Sequence, residues 1–197
     1  MSLFSQLAFR YAVYLPADLP PDHGQEVAFA GRSNAGKSTA INALANRKKL
    51  AFVSKTPGRT QALIFFDMGG NRHLVDLPGY GYAAVPGKEQ DRWTELISTY
   101  ITHRKALKLL VLVADARQGI TPHDRYLLDW LAPTGKPVHV LLTKADKLTR
   151  RESDQALKAA AAEISGYAGE ISLQLFSGLH KTGVHQAQAA IAKWLKK

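Results

Sequence analysis

The stretch Gly31-Arg32-Ser33-Asn34-Ala35-Gly36-Lys37-Ser38 fills every fixed position of the pattern G-x-x-x-x-G-K-[ST], and the strand-like run 27–30, VAFA, stands immediately before it. A chain that leaves a strand through such a loop and enters a helix near Lys37 turns successive backbone N–H groups inward. The positive end of the helix caps the hollow they form. That hollow accepts phosphate oxygens. Lys37 can bridge the outer phosphates, Ser38 can offer its hydroxyl to Mg²⁺, and Thr39 completes the cradle on the first helical turn. The predicted ligand is a nucleoside triphosphate.

Its base is read further along, where Leu141-Leu142-Thr143-Lys144-Ala145-Asp146-Lys147 ends an apolar strand with an [N/T]-K-x-D sequence. A carboxylate at Asp146 can accept hydrogen bonds from the ring N1–H and the exocyclic amine of guanine, whereas adenine offers no such donor pair. Two charge-assisted bonds of roughly 1.5–3 kcal/mol each discriminate strongly against ATP. Lys144 would lie along base and ribose with its aliphatic stem. Alone, T-K-A-D reads as a solvated charge pair at a strand end. Downstream of a complete phosphate loop it reads as a guanine selector.

Between the two lies Asp76-Leu77-Pro78-Gly79, a D-x-x-G element at the end of a short strand. Asp76 can hold Mg²⁺ through a water, and the Gly79 N–H can sense the γ-phosphate. Taken alone the same four residues are also a turn capped by aspartate; their place in the order decides. Ser54-Lys-Thr56-Pro-Gly58-Arg59-Thr60-Gln61 stands where a first switch loop belongs, with Gly58, Arg59 and Thr60 against the nucleotide. Thr60 is the expected second protein ligand of Mg²⁺, since Thr56 precedes Pro57 and lies farther from the returning strand. Phe176-Ser177-Gly178 follows the final strand and would touch the guanine carbonyl through backbone N–H.

In order, these segments resemble a GTPase of the translation-factor class, and the strings GRSNAGKS, SKTPGRTQ, DLPGYGYA and LLTKADKL are similar to those of the EngB (YihA/YsxC) family of bacterial ribosome-biogenesis GTPases. That family falls in the TrmE-Era-EngA-EngB-Septin-like class of P-loop GTPases, and the resemblance runs from about residue 27 to the end. It implies GTP and Mg²⁺ binding with slow hydrolysis. It also implies a role in large ribosomal subunit assembly, with rRNA and ribosomal proteins as partners, and a link to normal cell division and septation. One departure is Gly178, where the family usually has Ser or Ala. Because that position contributes a backbone N–H, binding should survive in a floppier loop.

Where Ras-type enzymes place a water-orienting glutamine after the D-x-x-G glycine, this chain has Tyr80. Slow intrinsic hydrolysis is expected, with Lys37, Mg²⁺ and loop amides stabilising developing charge and an outside element completing the site. Asn34 has two readings: holding K⁺ beside the phosphates, as in several related GTPases, or shaping the loop.

Apolar runs at 27–30, 62–67, 73–77, 109–114, 138–142 and 171–176 read as strands. Helical periodicity marks 37–46, 89–104, 122–131, 152–167 and 182–195. The alternation predicts a three-layer α/β fold of the P-loop NTPase, Ras-like type, with a mostly parallel six-stranded sheet and one antiparallel edge strand paired across the turn 68–71. Residues 1–25 read as an extension packed on a domain spanning 26–197.

Lys plus Arg number 26 against 16 Asp plus Glu, a net charge of +10, so a polyanion is the expected partner. Arg47-Lys48-Lys49, Arg104-Lys105, Arg150-Arg151, Lys193 and Lys196-Lys197 are the candidate contacts. The last helix is too Ala-rich for a membrane-binding face. The absence of cysteine rules out disulfides and thiolate metal sites, and the seven histidines show no ligand spacing. A cytoplasmic monomer is expected, with neither membrane nor DNA as partner. A signalling GTPase acting on a division protein would use the same pocket. An ATP-using enzyme would let ATP compete with GTP, and Asp146 argues against that outcome.

Overall fold

Side chains alternate across one sheet so completely that each central strand feeds two cores. The computed structural model describes residues 3–51, 62–80 and 87–195. Among them are β1 (Ala8–Val13), β2 (Gln25–Gly31), β3 (Leu63–Asp67), β4 (Arg72–Asp76), β5 (Leu107–Asp115), β6 (Val138–Thr143) and β7 (Ile171–Leu175). They hydrogen-bond in the order β1-β3-β4-β2-β5-β6-β7. The strands from β4 to β7 run parallel, while β1 and β3 are antiparallel to their neighbours. Val27 and Phe29 of β2 face one core, and Ala28 and Ala30 face the other.

Helices α1 (Lys37–Leu44) and α5 (Val184–Trp194) cover the first face through Ile41, Leu44, Ala187 and Ile191. Helices α2 (Gly87–His103), α3 (Pro122–Leu131) and α4 (Arg150–Ile164) cover the second through Tyr100, Leu131 and Ile164. Burial on both faces is why β5 reads as an almost unbroken apolar run rather than an alternating one. The sheet is thus the middle layer of three, and its parallel strands deliver their carboxyl ends to one edge. No helix among the described residues is long and apolar enough to cross a membrane.

Where the apolar runs predict six strands, the sheet has seven among the described residues, because residues 8–13 join it. Phe9 registers with Phe66 and Tyr11 with Phe65, with a bulge at Arg10 between them. The Tyr11 ring lies 4.9 Å from that of Phe65. β1 takes the edge position expected for β3, which instead lies between two antiparallel partners. The 68–71 turn forms as expected: Met68 N–H donates to the Arg72 carbonyl at 2.9 Å, and the Asp67 carboxylate accepts from Gly69 N–H at 2.7 Å.

A second correction concerns Arg104, read from sequence as part of a cationic cluster for a polyanion. Its side chain is only 5% exposed and pairs with Glu26, 1% exposed, at 2.6 Å. The guanidinium also donates to the Pro20 carbonyl at 2.6 Å, and Tyr100 OH donates to the other Glu26 oxygen at 2.9 Å. Asp22 accepts the N–H groups of Lys105 and Ala106, each at 2.8 Å. The segment ahead of β2 is thereby tied to the α2–β5 turn, and Arg104 faces inward. Losing one member of such a buried pair leaves an uncompensated charge, so Arg104→Ala is expected to cost about 3–5 kcal/mol of folding stability. An unchanged urea midpoint would contradict this.

Candidate nucleotide-binding site

β2, β4, β5, β6 and β7 all end at the same edge of the sheet, and the loops leaving them meet there. After β2 the chain makes a tight turn, with Ala35 N–H donating to the Arg32 carbonyl at 3.0 Å and Asn34 in the left-handed region at φ 64°. Gly36 caps α1 at φ 96°, also left-handed, and a Cβ there would stand 3.3 Å from Thr143 Oγ1. Only glycine meets both demands. No side chain caps α1 at Gly36, and a helix N-terminus is the kind of place that binds anions.

Lys37 and Asp76 form an ion pair, so the D-x-x-G carboxylate at the end of β4 reaches the lysine of the phosphate loop. Leu77 continues β4 by donating its N–H to the Phe29 carbonyl at 2.9 Å, and Leu77 and Pro78 are buried beneath the exposed Gly79. The Arg32 guanidinium reaches Gln118 at 3.3 Å rather than the loop's interior. Gly58, Arg59 and Thr60 lie outside the described residues.

The loops predicted to read the base are built on the predicted phosphate loop itself. The buried Thr143 hydroxyl shares its one proton between the carbonyls of Ala35 and Ala114, the latter at 3.0 Å. Lys144 turns through φ 58° and donates to the Asn34 carbonyl at 2.7 Å while pairing with Asp115 at 2.9 Å. Arg117 forks onto the same carboxylate at 3.0 and 2.7 Å. Burial pushes the Asp115 carboxyl up, but the Arg117 and Lys144 bonds outweigh it and hold the group well below the usual carboxylate range.

Asp146 is oriented from the last loop. Ser177 Oγ donates to its Oδ1 at 2.6 Å and accepts from His180 N–H at 3.1 Å. That hydroxyl bond is the main reason the Asp146 carboxyl titrates below its ordinary value, leaving an anion to face donor groups. Ala145 N–H donates to the Phe176 carbonyl at 3.2 Å, joining the two loops. Gly178 does not leave this loop slack: a Cβ there would lie 2.6 Å from Thr39 Cγ2 and 3.2 Å from the Thr39 carbonyl. The glycine lets the loop press against α1, which corrects the expectation of a floppier segment.

Sequence reasoning missed Asp115 and Arg117 as the anchor of Lys144, and the side-chain role of Ser177. Asp115 carried a signal, since it ends the β5 apolar run as Asp76 ends β4 and Thr143 ends β6.

Residues 26–144 match the family model described as "50S ribosome-binding GTPase". A probable GTP-binding protein EngB of Azoarcus sp. (strain BH72) is 53% identical over 196 residues, covering 99% of this chain and 94% of that one. The chain belongs to the EngB family of GTP-binding proteins. The EngB protein of Methylobacillus flagellatus is 50% identical over 99% of this chain and 94% of its own. The crystal structure of a probable EngB protein shares the fold at a TM-score of 0.63, with 24% identity over 87% of this chain and 98% of that one. Aquifex aeolicus Era bound to GDP.AlF4- shares it at 0.66, with 23% identity over 86% of this chain and 56% of that one.

Membership in this GTPase family implies guanine-nucleotide binding and GTP hydrolysis. Magnesium is typical of such proteins, and the donor set fits it: Ser38 on the first turn of α1 and Asp76 at the end of β4 offer hard oxygen ligands. When bound, the ion neutralises charge on the phosphate oxygens. Lys37 would add a cation beside them, and the α1 amides would supply donors. Replacing Asp146 by Asn turns one acceptor oxygen into a donor facing guanine's own donors. Asp146→Asn is expected to weaken GDP binding by at least tenfold and to favour xanthosine diphosphate. Unaltered base preference in competition binding would refute the assignment.

Proposed function

We propose that this chain is a slow, magnesium-dependent GTP switch in large ribosomal subunit assembly, acting in the cytoplasm as a monomer and needed for normal cell division and septation. On this reading it docks on pre-ribosomal RNA and protein in one nucleotide state and departs in another. The supporting observation is the pairing of this pocket with exposed cationic surface. Arg47, Lys48 and Lys49 are exposed beyond α1, and Arg150 and Arg151 are exposed at the start of α4. Lys193 is 60% exposed and partly offset by Glu170 at 3.3 Å. With Arg104 removed, these and the exposed Lys105 are the candidate side chains for phosphate contacts, while Lys196 and Lys197 lie outside the described residues. The description of the matched family as ribosome-binding points the same way.

Slow hydrolysis follows from Tyr80. Its side chain is buried and its hydroxyl is engaged by Asp124, so the position that would orient water holds no group able to do so. A partner surface then completes the site. Asn34 adopts the left-handed turn that asparagine tolerates, and its carbonyl is taken by Lys144, which accounts for the residue as a loop-shaping one. Turnover measured in KCl and in NaCl tests whether it also holds K⁺.

Large-subunit particles are expected to co-sediment with the protein in a nucleotide-dependent way that weakens as salt rises, because phosphate contacts release counterions. The same particles are expected to raise GTP turnover by about 10³-fold or more, as completion in trans does elsewhere. No co-sedimentation and no stimulation would favour a signalling GTPase acting directly on a division protein.

A further inference from the structure

The residue after Gly79 is not idle. Tyr80 meets the phosphate loop through its backbone, its carbonyl accepting Ser33 N–H at 3.0 Å and its strand-like segment bridging Arg32. Gly79 sits so close to that loop that a Cβ on it would stand 3.3 Å from the Ser33 Cα. The side chain of Tyr80 points the opposite way, into the core beneath α3, where it is 7% exposed. Its hydroxyl donates to Asp124 Oδ1 at 2.5 Å.

Asp124 is the third residue of α3 and closes a capping box with Thr121, whose N–H and hydroxyl both reach Oδ2, at 2.7 and 2.6 Å. A second box in the same molecule serves as an internal control. Thr149 and Glu152 cap α4 with the same pattern of bonds, at 2.7 and 2.8 Å, yet Glu152 is exposed. Capping therefore needs one carboxylate oxygen and no burial. Asp124 is 1% exposed and spends its second oxygen on Tyr80. Burial, reinforced by this carboxylate, pushes the Tyr80 phenol far above its ordinary value, so the hydroxyl stays a donor. Along the same flank Arg32 reaches Gln118, in the segment leading to Thr121.

We propose that Tyr80 is a positioning residue: anchored on Asp124, it holds the Pro78-Gly79-Tyr80 backbone against Ser33, so that the Gly79 N–H is set in place for the terminal phosphate. The anchor selects for the triphosphate and supports its hydrolysis, while the diphosphate, lacking that phosphate, is bound without it. This rests on the reading of the pocket as a GTP-hydrolysing site.

Tyr80→Phe tests it by removing one hydroxyl and keeping the ring. Fluorescent-nucleotide titrations with GDP and with a non-hydrolysable GTP analogue, single-turnover hydrolysis and thermal melting should be run on wild type, Tyr80→Phe, Asp124→Asn and the double variant. The expected result is unchanged GDP affinity with analogue affinity and hydrolysis rate each lowered about tenfold, the scale of one hydrogen bond to a charged group. The double variant should be no worse than the more affected single one, because both substitutions cut the same link. Equal losses for both nucleotides, no loss at all, or additive losses in the double variant would each overturn the proposal. If Asp124→Asn fails to fold, Tyr80→Phe decides alone. Wild-type protein that bound neither nucleotide would instead sink the reading of the pocket.

Discussion

A single buried hydroxyl, that of Thr143, holds the two halves of this site together. It lies between the carbonyl of Ala35 in the phosphate loop and that of Ala114 at the end of β5, and its side chain fills the space that a Cβ on Gly36 would need. Base recognition and phosphate recognition are therefore not independent sites that happen to share a ligand. Lys144, one residue on, repeats the link by donating to the Asn34 carbonyl. Protein–protein hydrogen bonds fix the spacing between the loop that carries Asp146 and the loop at 31–38. That is preorganisation, and it spares the binding step the ordering of two loops.

The opposite edge of the sheet carries the complementary burden. There Glu26, Arg104, Tyr100 and Asp22 bind the segment before β2 to the end of α2, and β1 covers the flank of β3. A buried polar network thus sits at the amino end of β2, and the candidate recognition loops sit at the strands' carboxyl ends. The division follows from the topology: parallel strands with crossover helices leave one edge of loops free to diversify.

Much of this was legible from residues alone because phosphate and base contacts demand particular residue types at set spacings. Gly36, Lys37, Ser38, Asp76 and Asp146 each answer a chemical requirement that few substitutes meet. What sequence could not supply was pairing. Arg104 looks like a surface cation until Glu26, 78 residues away, is seen opposite it. Phe9, Arg10 and Tyr11 alternate weakly as a strand, yet only the bare edge of β3 makes them one. Gly178 reads as slack until the Thr39 methyl beside it is located. Asp115 and Ser177 act on Lys144 and Asp146 from other strands' ends, a relation with no sequence spacing to announce it.

On this reading of the molecule, the loops at the strands' carboxyl ends hold a guanine nucleotide in preference to ATP. Calorimetric titration of the purified protein with GDP, GTP and ATP in the presence of Mg²⁺ tests this most directly. Saturable heat with both guanine nucleotides and none with ATP is the predicted result; an absence of binding to GDP and GTP, or equal binding of ATP, would contradict it.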